Sequence, residues 1–336
     1  INLKISLFTR NQIFDAYGDM VYSLVLDQLP VMTIVGDLPA FKGDKKTVEI
    51  IYEDKQQPGK SFTSENVQID VQGTSSQYYP RKNYKTKHKG GFVMTATGEQ
   101  VDNYSLRDNS IAVNTFCEKA DFAESSGTHN TGMARIIDSL LKSLGFLTPP
   151  QVTDKRVRTT VDGFPITIFH RQTADGPRSF LGKYNFNNDK STQNTFGFSG
   201  VAECWEVKNN TSDRVLFKES DYVKKDADGH PEWLNDFEAR YPDDDALNDE
   251  YANGKIPTNL KRLTDWIAST RNNPVKFKQE YESYFNKNFL LFYYMITELY
   301  AMVDQRAKNM MLATWDGNTW FPIFYDNDTC LGLNNE

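Results

Sequence analysis

The chain has 336 residues, of which 39% are apolar and 13% aromatic. This composition is typical of a folded protein with a sizeable core and excludes a disordered chain. The net charge of −7 argues against a nucleic-acid-binding surface over the whole molecule. Since no run of about 18 apolar residues occurs, the sequence predicts no membrane-spanning helix.

The N-terminal third of the chain is predicted to be rich in strands. We assign residues 1–28 to an extension or linker and residues 29–115 to a strand-rich part. Val31–Val35 and Lys46–Tyr52 are apolar and β-branched, which favours strands. Val67–Val71 alternates apolar and polar residues, the pattern of a half-buried strand.

Residues 116–336 are predicted to be rich in helices. Apolar residues recur at helical spacing from Gly132 to Leu144, and Gly145 is placed to end that helix. Residues 155–190 resemble short strands and turns, and the acidic stretch at about 219–253 resembles a solvated insertion. A long aromatic helix is predicted across Phe277–Val303. The fold class is therefore α+β.

The cysteines and histidines show no metal-binding spacing. Cys117, Cys204 and Cys330 are few, odd in number and far apart, so we predict three buried thiols. The four histidines are too scattered to indicate zinc.

The C-terminal segment carries a set of residues suited to phosphoryl transfer. Asp304 precedes Asn309 by five positions, and two predicted strands joined by the turn at 316–318 lead to Asp326 and Asp328. Protein kinases have the same order, with a catalytic Asp, a metal-binding Asn, a hairpin and a metal-binding Asp. One carboxylate orients the acceptor hydroxyl, while an amide and a second carboxylate hold Mg²⁺ on the phosphates. The prediction depends on the order of all these elements. An Asp and an Asn at the spacing of Asp304 and Asn309 also arise by chance in unrelated sequences, so that pair alone would not indicate a kinase.

A kinase also needs groups that bind the nucleotide phosphates. The chain contains neither GxxxxGK[ST] nor GxGxxG. The candidate replacement is a turn of small residues whose amides would approach phosphate oxygens, followed by lysines that supply positive charge. The candidate nucleotide-binding residues are Gly73, Thr74, Ser75, Ser76, Lys82 and Lys87.

Four segments of the chain resemble motifs of the CotH spore-coat kinase family. The family's Arg-Gly-Asn-Ser-Ser…Pro-Lys-Lys-x-Tyr/Phe-x-x-Lys motif is similar to residues 72–87, and its Lys-Ala-Asp motif is similar to Phe116–Asp121. A Gly-x-Tyr motif is similar to Gly182-Lys183-Tyr184, and the closing pattern of acidic residues is similar to residues 304–328. The resemblance extends from about Leu29 to Gly332.

This resemblance implies an atypical kinase-like fold that uses ATP and Mg²⁺ to phosphorylate protein serines or threonines. It implies that Asp304 is the catalytic carboxylate. Asp326 and Asn309 would bind the metal, with Asp328 as a further candidate. Either Lys82 or Lys87 would meet the phosphates, and the residues themselves do not choose between them.

Two departures from the family pattern leave a second function open. Gln72 stands where the family has arginine, and Thr74 stands where it has asparagine. Residues 182–190 and 203–211 are similar to the versions in CotH-like proteins of bacteriophages. The alternative is therefore an inactive structural module with virion or coat neighbours as partners. Such a module would be located in a phage tail, on a bacterial surface or in a spore coat.

Overall fold

The chain forms two compact units, each of which is described by itself. This computed structural model describes residues 29–73, 76–124, 126–207, 223–225, 231–233, 237–242, 258–306 and 309–332. Unit 1 comprises residues 1–108, 112–128 and 163–189, and unit 2 comprises residues 109–111, 129–162 and 190–336. The predicted boundary after residue 115 does not coincide with this division, because strands far along the chain return to the sheet of unit 1. The predicted extension at 1–28 lies outside the described residues.

Unit 1 is built on one nine-stranded sheet. Its strands are β1 (Val31–Val35), β2 (Lys46–Glu53), β3 (Phe62–Gln72), β4 (Asn83–His88), β5 (Phe92–Met94), β6 (Gln100–Val101), β7 (Thr115–Lys119), β8 (Gly163–Arg171) and β9 (Ser179–Asn188). They lie in the order β2-β1-β8-β9-β7-β4-β3-β5-β6, and β2 also pairs with β3. The strands from β2 round to β3 therefore close on themselves. Short 3₁₀ helices lie at Pro58–Lys60 and Ser76–Tyr78.

The inner face of this closed sheet is apolar, and its outer face carries polar groups. Val67, Ile69 and Val71 are buried in the core, which confirms the strand predicted at 67–71. The strands predicted at 31–35 and 46–52 are confirmed as β1 and β2. The prediction of short strands across 155–190 is wrong in length, because β8 and β9 pair as one long antiparallel hairpin.

The core of unit 1 encloses titratable side chains. Glu118 on β7 is 0% exposed, and Thr86 Oγ1 donates to its Oε1 at 2.8 Å. Burial raises the pKa of Glu118 from 4.5 to about 8. Burial also lowers the pKa of His88 from 6.5 to about 3. The first shift destabilises the fold as pH rises from about 4.5 to 8, and the second stabilises it as pH rises from about 3 to 6.5.

Between pH 6.5 and 8, therefore, the stability changes through the shifted pKa of Glu118 and no longer through that of His88. There we expect the free energy of unfolding to fall by up to about 1.4 kcal/mol per pH unit, and Glu118→Gln to flatten this slope. Urea unfolding at several pH values measures it. Glu99→Gln, at an exposed position of the same unit, is the control and should keep the slope. A Glu118→Gln protein with the parent's slope would show that Glu118 ionises normally in the fold.

Unit 2 combines helices with a four-stranded antiparallel sheet. The helices are α1 (His129–Ser143), α2 (Pro149–Thr153), α3 (Thr258–Thr270), α4 (Pro274–Glu280) and α5 (Lys287–Leu299). The strands are β10 (Glu203–Val207), β11 (Val223–Lys225), β12 (Pro231–Trp233), β13 (Phe237–Tyr241), β14 (Met310–Thr314) and β15 (Phe321–Phe324). The sheet order is β13-β10-β14-β15, and β11 pairs with β12 separately. Further 3₁₀ helices lie at Gln193–Phe196, Tyr281–Ser283 and Val303–Arg306.

The helix predicted at 132–144 is confirmed as α1, which begins three residues earlier. Met133, Ile137 and Leu141 are buried, whereas Leu144 follows the helix and is exposed. Gly145 has φ +68°, and its N–H donates to the Lys142 carbonyl, so glycine ends the helix as expected.

The single long helix predicted across Phe277–Val303 is wrong. The chain instead forms α4, a 3₁₀ turn and α5. Asn286 interrupts it, because its side chain caps α5 by accepting from Phe289 N at 3.1 Å, while its own N–H donates to Trp320 O at 3.0 Å. The spacing of apolar residues in the sequence does not reveal this cap.

The acidic segment at 219–253 lies mostly outside the described residues. Its part at 237–241 is not a solvated insertion but strand β13, which pairs with β10. Phe237 and Ala239 are buried there, since alternate residues of this strand face the core.

The buried thiols and the hairpin at the end of the chain are as predicted. Cys117, Cys204 and Cys330 are free and buried. Strands β14 and β15 pair in antiparallel fashion, as predicted for the two strands that the turn at 316–318 joins. Across the described ranges, no helix combines the length and apolar character needed to cross a bilayer.

Candidate active site

The β14–β15 hairpin places Asn309 and Asp326 at the same end of the sheet of unit 2. Met310 pairs with Phe324, so the residues just before β14 and just after β15 are neighbours. Asn309 has φ +58° and Asp326 has φ +52°. Such left-handed backbone costs a non-glycine residue about 1 kcal/mol or more and persists where the surroundings impose it.

Asn130 in the first turn of α1 holds the Asp326 carboxylate. Its Nδ2 donates to Asp326 Oδ1 at 3.1 Å, and its Oδ1 accepts from the backbone N–H of Asn327 at 3.1 Å. Asn130 is 1% exposed, so both bonds form away from water. The Asn327 side chain is buried too and donates to Thr160 Oγ1 at 3.3 Å. The acidic loop is thereby fixed to α1.

Gln305 ties the 3₁₀ turn that carries Asp304 to the same loop. Its Nε2 donates to Tyr325 O at 2.7 Å and to Asp326 O at 3.0 Å, and its side chain is 0% exposed. The Tyr293 hydroxyl on α5 donates to Gln305 O at 2.5 Å. Burial raises the pKa of Tyr293 far above its usual value, so the phenol remains a neutral donor. Asp304 is half-buried next to this clamp.

The oxygen-rich composition of this loop fits Mg²⁺. Asp328 is half-buried two residues after Asp326, and His129 Nδ1 lies 3.3 Å from its carbonyl oxygen. Asn327 Oδ1 is buried and accepts no hydrogen bond from the described residues. Within those residues no three His, Cys, Asp or Glu side chains form a metal-binding group. Mg²⁺ suits such a site, because one or two carboxylates hold it while phosphates and water complete its shell.

The predicted phosphate turn follows β3 in unit 1. Gly73 has φ +105°, and a Cβ atom there would lie 1.9 Å from Ser76 Oγ, so only glycine fits. Ser76 Oγ in turn accepts from Asn83 Nδ2 at 3.2 Å. Thr74 and Ser75 lie outside the described residues.

The three lysines of this region have different surroundings. Lys82 Nζ donates to the Gln77 carbonyl, and Lys87 is exposed on β4. Lys85, on the same face of β4 as Lys87, pairs with Asp189 Oδ1 at 2.9 Å. The Asp189 side chain is only 2% exposed. Lys85 is therefore the lysine that a buried carboxylate holds in place, a role that the sequence did not assign to it.

Two further groups contact the Asp189 carboxylate. Cys117 Sγ donates to its Oδ2 at 2.9 Å, and Gln72 Nε2 reaches the same oxygen at 3.5 Å. The pKa of the Cys117 thiol is raised well above its usual value, chiefly by burial and next by Asp189. The thiol is thus kept protonated as a donor.

Segment 116–121 lies beside β9, the strand that contains residues 182–184, because Lys119 is opposite Asn185. Asn185 Nδ2 donates to Asp121 Oδ2 at 2.5 Å, and Arg81 Nη2 donates to Ala120 O at 2.9 Å. A Cβ atom on Gly182 would lie 2.8 Å from Arg81 Nη1, so glycine leaves room for the guanidinium. Asp121 has φ +42° and is buried. Unit 1 thus holds this polar network on the outer face of its sheet.

Comparison with known proteins identifies a relationship over the C-terminal part. A family model described as CotH kinase protein matches residues 194–336, which is less than half of the chain. The match supports a relationship to the CotH family there. It includes Asp304, Asn309, Asp326 and Asp328, and it excludes residues 72–87 and 116–121. Among curated proteins no match to the chain is found.

Proposed function

We propose that this chain is a CotH-like protein kinase with an atypical kinase-like fold, which transfers the γ-phosphate of ATP to serine or threonine hydroxyls of a protein. One observation carries the proposal. The hairpin that holds Asn309 and Asp326 at one end, with the Asp304 turn clamped to it by Gln305, lies inside the part that the CotH model matches. These three side chains are of the types that phosphoryl transfer requires.

Each residue then has a defined task. Asp304 accepts a hydrogen bond from the acceptor hydroxyl, orients its oxygen towards phosphorus and takes up its proton. Asp326 and Asn309 are the ligands for Mg²⁺, and Asp328 is a further candidate. Bound Mg²⁺ neutralises phosphate charge. Asn130 keeps the Asp326 carboxylate in one orientation, since it bonds both that side chain and the next backbone amide.

The candidates for binding the nucleotide phosphates are the turn at 73–76 and the lysines that follow it. We propose that amides of the turn at Gly73, Thr74, Ser75 and Ser76 approach phosphate oxygens. For the positive charge we add Lys85 to Lys82 and Lys87. Asp189 holds the Lys85 ammonium on the outer face of β4, where its side chain is 39% exposed.

A second candidate function is a catalytically inactive module of a virion, tail or cell-surface assembly. Gln72 favours it, because an uncharged amide stands where the family has an arginine. Weak ATP binding would follow from the loss of that charge.

ATP and Mg²⁺ distinguish the two functions. We expect ATP with Mg²⁺ to raise the melting temperature by several degrees, since a ligand at about 100 times its Kd stabilises by about 2.7 kcal/mol. Mg²⁺ alone, or ATP with EDTA, should give a much smaller shift. Radiolabelled γ-phosphate should appear on the protein itself or on casein. Absence of both the shift and the label would support the inactive module.

A further inference from the structure

The solvent-facing side of α5 carries an apolar stripe in unit 2. Leu291, Met295 and Leu299 follow one another at intervals of four residues and are 52%, 65% and 72% exposed. Tyr294, on the same side of the helix, is 55% exposed. Val303, in the 3₁₀ turn that follows α5, is 52% exposed. Leu331 is 61% exposed, and its N–H donates to Tyr300 O at 2.6 Å, at the end of α5. We call these six residues the α5 stripe.

This composition is unusual for the outer side of a surface helix. The opposite side of α5 is also apolar, since Phe289, Phe292 and Ile296 are buried in the core of unit 2. A helix that faces water on one side normally carries polar residues there. A contiguous exposed apolar surface of this kind marks an interaction site.

One pair of opposite charges lies beside the α5 stripe. Arg306 pairs with Glu298, and its guanidinium also lies 5.4 Å from the centre of the Tyr294 ring. This pair adds no net charge to the stripe. Apolar side chains suit it better than acidic or basic ones.

The α5 stripe leads directly to the proposed catalytic carboxylate. Val303 is covalently joined to Asp304, and Leu331 lies three residues after Asp328. The eight-residue step from Leu291 to Leu299 spans about 12 Å of helix. About four residues of extended chain cover that length, with alternate side chains on one side.

We propose that the α5 stripe docks an apolar segment of the acceptor protein and so brings a neighbouring serine or threonine to Asp304. This proposal rests on the proposed kinase function and names its substrate class. Acceptors carry a short run of aliphatic side chains close in sequence to the phosphorylated hydroxyl.

Two labelled peptides test docking without turnover. Each contains one serine followed by six residues, which alternate leucine with glycine in one peptide and glutamine with glycine in the other. Fluorescence anisotropy measures their binding to the Asp304→Asn protein. We expect the leucine peptide to bind at least about tenfold more tightly, and the difference to vanish when Met295→Ser and Leu299→Ser are added. Val152→Ser and Val201→Ser, at exposed apolar positions elsewhere in unit 2, should keep it.

Equal binding of both peptides, or equal losses in the stripe and control variants, would overturn the docking proposal. Sedimentation tests another occupant of the α5 stripe, a second copy of this chain. If the parent protein is a dimer and Met295→Ser/Leu299→Ser converts it to a monomer, the stripe is a dimer interface and the docking proposal is overturned. Thermal unfolding shows that each variant is folded. Because anisotropy needs no ATP, a protein that binds the leucine peptide through the stripe but transfers no phosphate would overturn the kinase function and not the docking surface.

Discussion

Asp304→Asn and Asp326→Asn are each expected to reduce ATP-dependent phosphate transfer by about 10²- to 10⁴-fold, the range found when a catalytic acid–base or charge-stabilising group is removed. Asp304→Asn removes the group that takes the hydroxyl proton. Asp326→Asn removes a negative charge from the metal site while keeping the size of the side chain. Transfer of radiolabel at saturating ATP and Mg²⁺ measures both.

The two variants should differ in how they respond to the metal. Asp304→Asn should still be stabilised by ATP with Mg²⁺, because Asp304 is not among the proposed ligands. Asp326→Asn should lose most of that stabilisation and require a higher Mg²⁺ concentration for any residual transfer. This difference in stabilisation by ATP with Mg²⁺ distinguishes a residue that accepts the proton from one that binds the metal.

A surface carboxylate serves as the matched control. Asp265 on α3 is half exposed and pairs with Lys261 at the surface, so Asp265→Asn should leave transfer unchanged and cost less than about 1 kcal/mol. Transfer at the parental rate in both Asp304→Asn and Asp326→Asn, with folding intact, would remove these residues from the mechanism.

The hairpin could be predicted from the sequence because its determinants are local. Asp316 Oδ1 accepts from the backbone N–H groups of Asn318 and Thr319 at 2.8 Å, and Gly317 adopts φ +75°. A turn of this kind sets the register of the two strands that flank it. Once the register is set, Asn309 and Asp326 must lie at one end.

The groups that fix the proposed site depend on contacts across long stretches of chain. Asn130 is 196 residues from Asp326, and Lys85 is 104 residues from Asp189. No periodicity or spacing rule indicates such pairs. Gln305 is not predictable for another reason: in the sequence, a buried glutamine that donates to two backbone carbonyls looks like any polar loop residue.

The same distinction explains the error in the long aromatic helix. Apolar residues from Phe277 to Val303 satisfy helical spacing on both sides of Asn286, so the pattern continues where the backbone does not. The interruption depends on Trp320, which lies just before β15 and whose carbonyl accepts a hydrogen bond from the Asn286 N–H. Tertiary contacts override local preference at such points.

The lysine that serves the nucleotide can be identified by substitution. We expect Lys85→Met to raise the KM for ATP by about 10- to 100-fold, because an ammonium positioned by a buried carboxylate is lost from the phosphates. Lys82→Met and Lys87→Met should have smaller effects. Lys82 is tied to a backbone carbonyl. Lys87 is exposed and pairs with no carboxylate among the residues that the structure describes. Steady-state transfer at varied ATP measures all three, with the exposed Lys89→Met as control.

Stability must be separated from nucleotide binding in that comparison. Lys85→Met leaves Asp189 buried without its ion pair, which should lower the free energy of unfolding, by less than the 3–5 kcal/mol typical of fully buried pairs because Lys85 is 39% exposed. Lys85→Met/Asp189→Asn should recover much of this stability, since the uncompensated charge is gone, yet it should keep the high KM. A double variant that recovers both would show that Lys85 supports the fold and does not bind phosphate. If Lys87→Met instead gives the largest rise in the KM for ATP, Lys87 is the lysine that contacts the phosphates.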